Sequence, residues 1–308
     1  MRFSPPGTAA NAVPLPVLIA TFCVLWSAAF AVAKAALADC PPLLLLVARF
    51  LASGAIVVAA AMLLATQRLS RRDVLIFSVL GIANNALYLG LNYVGMRGVS
   101  AGLSALIVSA NPVATVALAA LFLNERITWR KAAGLILGVG GVAFIVKTRM
   151  ASGGESALGV ALAFGALFSL VAGTILFKKL APSGSLWLGS GVQSLSGGLA
   201  LAPFAFAFES ASDILPSWRL LLALAYLVLL ASGLAFFIWF HLIKAAGATA
   251  ASAYHFLMPP LGLFFGWLLL GERVSAFDFA GVVPIALGIY LVTRPAQSAR
   301  EMCRLEEA

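Results

Sequence analysis

Nine side chains put polar or aromatic groups where the chain is otherwise apolar: Trp26, Asn84, Asn85, Tyr88, Ser109, Asn111, Phe168, Tyr254 and His255. Their types do not make a catalytic set. There is no Ser/His/Asp grouping and no pair of mid-span carboxylates, and the three cysteines, Cys23, Cys40 and Cys303, have no metal-ligand or disulfide spacing. No metal and no cofactor are expected. What these groups can do is bind. Aromatic faces stack on flat or apolar solutes, while amides, hydroxyls and an imidazole hold polar ends in apolar surroundings. Asn85, Tyr88 and Asn92 are spaced three and four apart, which is one helix face, and Asn84 also pairs with Tyr88. Ser109 and Asn111 flank Pro112 on its N-terminal side, as Tyr254 and His255 do Pro259. A proline inside a helix frees a carbonyl, which in lipid must find a partner or line a wet cavity. Pro112 and Pro259 are therefore candidate hinges. Interhelical hydrogen bonding, ring packing and plain kinks are the competing uses of the same residues.

The elements that must carry these groups span a membrane. Of the 308 residues 62% are hydrophobic and 10% charged, and mean hydropathy is +1.05. A soluble domain carries about 25% charged residues. Ten apolar segments, near 14–38, 42–66, 73–94, 99–123, 130–148, 157–178, 185–208, 217–243, 248–270 and 276–293, each approach the roughly 20 residues a spanning helix needs. The fold class is all-α: a polytopic membrane protein with ten transmembrane helices. The formal charge of +9 falls in short loops, where it sets orientation, so membrane lipids and not nucleic acid are the expected surroundings. Ala36-Leu37-Ala38 resembles a signal-peptidase site, but the preceding apolar run is too long for a signal core, so the helix is expected to stay. The sequence leaves the oligomeric state open, a monomer included.

A repeat organises the ten. Pro112, Glu125, Arg126, Gly134 and Gly141 return as Pro259, Glu272, Arg273, Gly281 and Gly288, always 147 residues on. Two five-helix units follow, 14–149 and 150–295, flanked by tails 1–13 and 296–308. Because five is odd, the second unit must be inverted relative to the first. Lys and Arg number 13 on the side of the N-terminus and 5 on the other, which puts both tails in the cytoplasm of a bacterial inner membrane. Inverted repeats around a midplane site, with paired helix breaks, are a transporter architecture. The eleven acidic residues all lie in loops, segment ends or the tail. A proton-driven antiporter needs a carboxylate in mid-span, so facilitated movement or exchange is expected instead. Lys34 and Arg49 lie within segments and are expected to snorkel or pair.

With Asn124-Glu125-Arg126 and Gly271-Glu272-Arg273 after the fourth helix of each half, residues 14–295 resemble the EamA branch of the drug/metabolite transporter superfamily. Within that branch the chain is similar to bacterial aromatic amino-acid exporters. The resemblance implies export of amino acids or related metabolites by alternating access. It also implies a central cavity built from helices 1, 3, 4, 6, 8 and 9. The expected partner is a small-molecule substrate, an aromatic or bulky apolar amino acid, held by Trp26, Tyr88, Phe168 and Tyr254, with Asn84, Asn85 or His255 on the zwitterion. An exporter of drugs, nucleosides or small polar amino acids such as threonine is the alternative. A non-transporting membrane enzyme or receptor is an alternative of another class.

Overall fold

The computed structural model describes residues 14–64, 68–122, 127–239, 241–242 and 254–293. The described residues contain no strand. They hold nine helices long and apolar enough to cross a membrane, and one shorter apolar helix. In chain order these are α1 (Leu15–Ala36), α2 (Pro42–Leu63), α3 (Arg71–Gly95), α4 (Ala101–Ser109 with Asn111–Phe122), α5 (Trp129–Ala151), α6 (Ala157–Leu180), α7 (Leu186–Phe208), α8 (Trp218–Trp239), α9 (Tyr254–Leu270) and α10 (Ala276–Thr293). The short helix is α9.

Local chemistry fixes where the helices start. Ser70, Ser100, Thr128, Ser156, Ser185 and Ser217 each accept a hydrogen bond from a backbone N–H three residues on, which satisfies one donor of the open first turn. Ser70 and Asp73 are joined twice, since Ser70 Oγ also donates to Asp73 Oδ2 at 2.8 Å. Asp278 Oδ2 accepts from Ser275 N at 2.8 Å.

The 147-residue register carries into the structure. Helix α3 begins at 71 and α8 at 218, and α5 begins at 129 and α10 at 276. The break in each fourth helix obeys the same shift. Helix α4 restarts at Asn111 after Ala110, and the α-helical part of α9 starts at Met258 after a 3-10 turn, Tyr254–Leu257. Both α3 and α8 contain a π-helical stretch, Ile82–Leu89 and Tyr226–Leu234, which overlap under that shift. Glu125 and Arg126, the first copy of the loop motif, lie outside the described residues.

Small residues let equivalent helices touch. A Cβ built on Gly191 would meet Val57 and Val58, and one on Gly198 would meet Phe50 and Leu51, so α2 and α7 pack antiparallel. Gly102 faces Leu263 and Glu272 while Ala105 faces Gly262, an antiparallel contact of α4 with α9. Helices α5 and α10 pair in the same sense through their glycines. The buried core runs from Leu44–Val47 and Phe50 through Tyr93, Met96 and Leu103 to Ile145 and Ile285.

Lys34, near the end of α1, is tied down: its Nζ donates to Met96 O and to Val99 O, closing open carbonyls just past the end of α3. Arg49 neither snorkels nor meets a described carboxylate, and its guanidinium turns into the bundle.

Candidate functional site

Helices α1, α8 and α9 bring one set of rings together. Trp26 stands edge-on to Phe236 at 5.2 Å and tilted against Phe22 at 5.5 Å. Phe22 stacks on Trp239 at 5.2 Å. His255 presents an edge to Trp239 at 5.2 Å and to Phe22 at 6.0 Å. Tyr254 packs on the same cluster, and its carbonyl accepts a long hydrogen bond from Cys23 Sγ at 3.6 Å. The π stretch of α8 ties this wall to α1, because Tyr226 donates through its hydroxyl to Leu25 O at 2.8 Å. Trp26, Tyr254 and His255 are thus brought into one cluster. Phe22, Phe236 and Trp239 complete the cluster, and an aromatic ring in an apolar run carries no signal in sequence of which way it points.

The second set sits on α3, α4 and α6. Tyr88 is buried against Val108 and Ala166. Asn84 lies over Gly173 of α6 so closely that no side chain fits there, and its Oδ1 is buried with no donor. Ser169 of α6 donates to Ala83 O at 2.8 Å, locking the two helices at that level. Asn85 turns to α7, where its Cβ fills the space left by Gly197. The π stretch explains the split. Widening the turn rotates Asn85 away from Tyr88, so the one-face reading made for an ordinary helix does not hold. Asn92 donates to Ser104 Oγ at 2.8 Å and serves to join α3 to α4.

Around the first break, Ser109 Oγ donates to Leu106 O at 2.7 Å, and Asn111 Oδ1 accepts from Thr115 Oγ1 at 3.3 Å. Both bonds are local, and they satisfy polar groups next to the disrupted ladder around Pro112. Phe168 of α6 is 55% exposed and is not part of either cluster. Pro259 stands at the head of the α-helical part of α9, where its missing N–H costs nothing.

The outer ends of the helices, outer by the Lys/Arg count, are closed by charge. Glu272 accepts from Ala101 N at 2.6 Å and from Gly102 N at 2.9 Å, so a carboxylate from the second half caps α4 of the first. Arg149 forks onto Asp278 at 2.8 and 3.1 Å and also donates to Ser100 Oγ at 2.9 Å. Glu155 accepts from Ser100 N at 2.8 Å and pairs with Arg149 at 3.4 Å. This latch joins α4, α5 and α6 to the loop after α9 and to α10. Every residue from 101 to 110 is buried beneath it. Beyond the break, residues 114–118 of α4 are half-buried.

A cleft of about 300 Å³ lies among the outer loops, lined by Asp39, Cys40, Pro41, Arg97, Glu209 and Asp213 among others. Two of its acids serve the fold. Glu209 caps α2 through Leu43 N and Leu44 N, and Asp39 accepts from Arg219 Nε at 2.7 Å and from Ser217 Oγ at 2.6 Å. Those bonds, the arginine's first, hold the Asp39 carboxyl down at about 2. The described residues hold no group of three or more His, Cys, Asp or Glu that could bind a metal ion.

Comparison with known proteins agrees with this architecture. Residues 15–147 and again 157–294 match the EamA-like transporter family. The chain is 29% identical over 285 residues to the uncharacterized transporter YvbV of Bacillus subtilis (strain 168), covering 92% of this chain and 93% of that one. It is 26% identical over 285 residues to a protein of Escherichia coli (strain K12) named a probable amino-acid metabolite efflux pump, covering 89% and 93%. A protein of known crystal structure shares the fold at 18% identity, with a TM-score of 0.66 over 90% of this chain and 96% of that one.

Proposed function

We propose that this chain, which belongs to the EamA-like transporter family, exports amino acids, the aromatic and bulky apolar ones foremost, across a bacterial inner membrane. Transport is the family's activity; the solute, the inverted halves and the cytoplasmic tails are our reading. The observation that carries it is the pair of helix breaks at matched positions, Ala110 in α4 and the 3-10 turn Tyr254–Leu257 in α9. The second break sits against the cluster of Trp26, Trp239 and His255.

In this reading the two five-helix units, 14–149 and 150–295, rock about the antiparallel contacts of α2 with α7 and α5 with α10. A solute enters from the cytoplasmic side while the latch of Arg149, Asp278, Glu155 and Glu272 holds the outer end shut. Trp26 and Tyr254 receive its apolar body by stacking and burial. Asn84, with an unsatisfied carbonyl oxygen, and His255 offer polar contacts to its amino and carboxyl groups. Rocking at Pro112 and Pro259 breaks the latch and opens the outer side. A relative named as an amino-acid metabolite efflux pump supports the substrate class.

Counterflow into proteoliposomes tests it. Vesicles holding the purified chain and loaded with phenylalanine should take up labelled phenylalanine, with phenylalanine competing better than threonine or a cationic dye. The solute should be recovered chemically unchanged. Preference for the dye would replace this reading with drug export.

A further inference from the structure

Arg49 stands outside the side chains assigned above to the solute. It lies seven residues into α2, about 10 Å from the helix start, and is 6% exposed. A guanidinium does not shed its proton in a protein. On insertion scales an arginine within a membrane helix is costly, and buried charges are ordinarily paired. Here the partners are neutral. Nε donates to Ser232 Oγ at 3.1 Å, Nη1 donates to the Tyr93 hydroxyl at 2.6 Å, and the guanidinium lies 5.6 Å from the centre of the Phe50 ring. No Asp or Glu among the described residues forms an ion pair with it, and Nη2 has no hydrogen bond to any of them.

Its setting also points to a solute. Ser232 lies in the π stretch of α8 and Tyr93 just beyond that of α3. Single π turns concentrate at functional sites because they re-aim side chains at a cost in helix geometry. The same stretch of α8 carries Tyr226, bonded to the carbonyl next to Trp26. The arginine and the aromatic wall are therefore held by one element.

We infer that Arg49 binds the carboxylate of the transported solute, an inference that rests on the amino-acid reading above. Two N–H donors fix the guanidinium through Ser232 and Tyr93, and the donors on Nη2 remain for the solute. A carboxylate answers a requirement the described residues leave unmet, a negative charge beside a buried cation, and accepts from arginine with matched geometry. The class of ligand is a carboxylate with an apolar or aromatic body.

The test uses the purified full chain in proteoliposomes loaded with phenylalanine. Unlabelled phenylalanine, 3-phenylpropionate and phenylethylamine are set against labelled phenylalanine uptake. In the wild type the two carboxylates should compete and phenylethylamine should compete at least roughly tenfold less well, as loss of a charged hydrogen-bond partner implies. Arg49→Met should raise the KM for phenylalanine by roughly tenfold to a hundredfold and remove the advantage of the carboxylates, with Arg49→Lys between the two. A purely structural arginine would instead lower the melting temperature and Vmax and leave the order of competitors unchanged. That result, or equal competition by phenylethylamine in the wild type, overturns the inference while leaving amino-acid export standing. The wild-type competition needs no substitution, so equal competition by phenylethylamine overturns the inference even if the variants fail to fold. No phenylalanine uptake by the wild type overturns the export reading, and the role of Arg49 with it.

Discussion

Gly134 and Gly288 meet backbone to backbone. A Cβ on Gly134 would stand 2.8 Å from the Gly288 carbonyl oxygen, and one on Gly288 would stand 2.7 Å from that of Gly134. Seven residues along, Gly141 meets Gly281 in the same manner, at 2.8 Å from its carbonyl oxygen. In sequence the repeat pairs 134 with 281 and 141 with 288. In space the pairs are exchanged, which happens only when equivalent helices cross antiparallel. The glycines are thus needed for a close approach of two backbones, where any side chain would push α5 and α10 apart.

Gly134→Leu and Gly141→Leu should each destabilise the protein by about 1–3 kcal/mol or more through overpacking. Gly140 is the internal control, because a Cβ there meets nothing within 4 Å. Gly140→Ala should be neutral or stabilising by up to about 1 kcal/mol through helix propensity. Thermal unfolding in detergent compares the three, and equal losses at all three positions would remove the crossing from the account.

Asp278→Asn should loosen the outer latch. Arg149 and Asp278 are 11% and 2% exposed, and breaking such a pair by removing one partner costs about 3–5 kcal/mol. The readout is access: with Cys23, Cys40 and Cys303 changed to serine, Val99→Cys places a thiol at a site that is 2% exposed beneath the latch. A membrane-impermeant maleimide added from outside should label it faster in the Asp278→Asn background. Unchanged labelling would mean that these charges do not close the outer side.

The fold was legible in the sequence because its signals are local or periodic. Hydropathy marked the spans and the 147-residue shift marked the second half; Pro112 and Pro259 stand beside the breaks, whereas Pro203 and Pro284 lie inside unbroken helices. The site was legible only in part. Trp26, Tyr254 and His255 come together because α1 and α9 pack side by side. Asn85 does not join Tyr88, because face assignments assumed 3.6 residues per turn and a π stretch intervenes. Nothing in the types of residues 82–89 announces that stretch. Arg49 was visible as an anomaly, but that it would be held by Ser232, 183 residues away, depends on how α2 meets α8. Glu272 belongs to the repeated loop motif in sequence, and its role as a cap on α4 follows only from tertiary packing.

The loop strap of Asp39 has a pH signature. Its carboxyl is held at about 2, chiefly by the Arg219 and Ser217 hydrogen bonds, against roughly 3.9 in an unfolded chain. A group depressed in the folded state adds stability above its unfolded value and loses it as pH falls toward its folded value. The melting-temperature gap between wild type and Asp39→Asn should therefore be constant from pH 5 to 8. It should shrink as pH falls from about 4 toward about 2. A gap that opens near neutral pH would assign the strap's stability to another group.

Asn84 separates stability from transport. Its Oδ1 is buried against Gly173 with no donor, and an unsatisfied buried polar group costs about 1–3 kcal/mol. An apolar side chain would remove that cost; a passing solute would offset it, because the missing partner then arrives with the substrate. Asn84→Ala is therefore expected to melt at the same temperature as the wild type or above it, while phenylalanine counterflow falls several-fold. Gly173→Ala is expected to displace the same side chain, since its methyl would overlap Asn84 Oδ1, and to impair flux even with Asn84 present. If Asn84→Ala instead unfolds earlier and transports normally, the carbonyl oxygen serves the fold, and the polar contact to the solute must be sought at His255 and Arg49 alone.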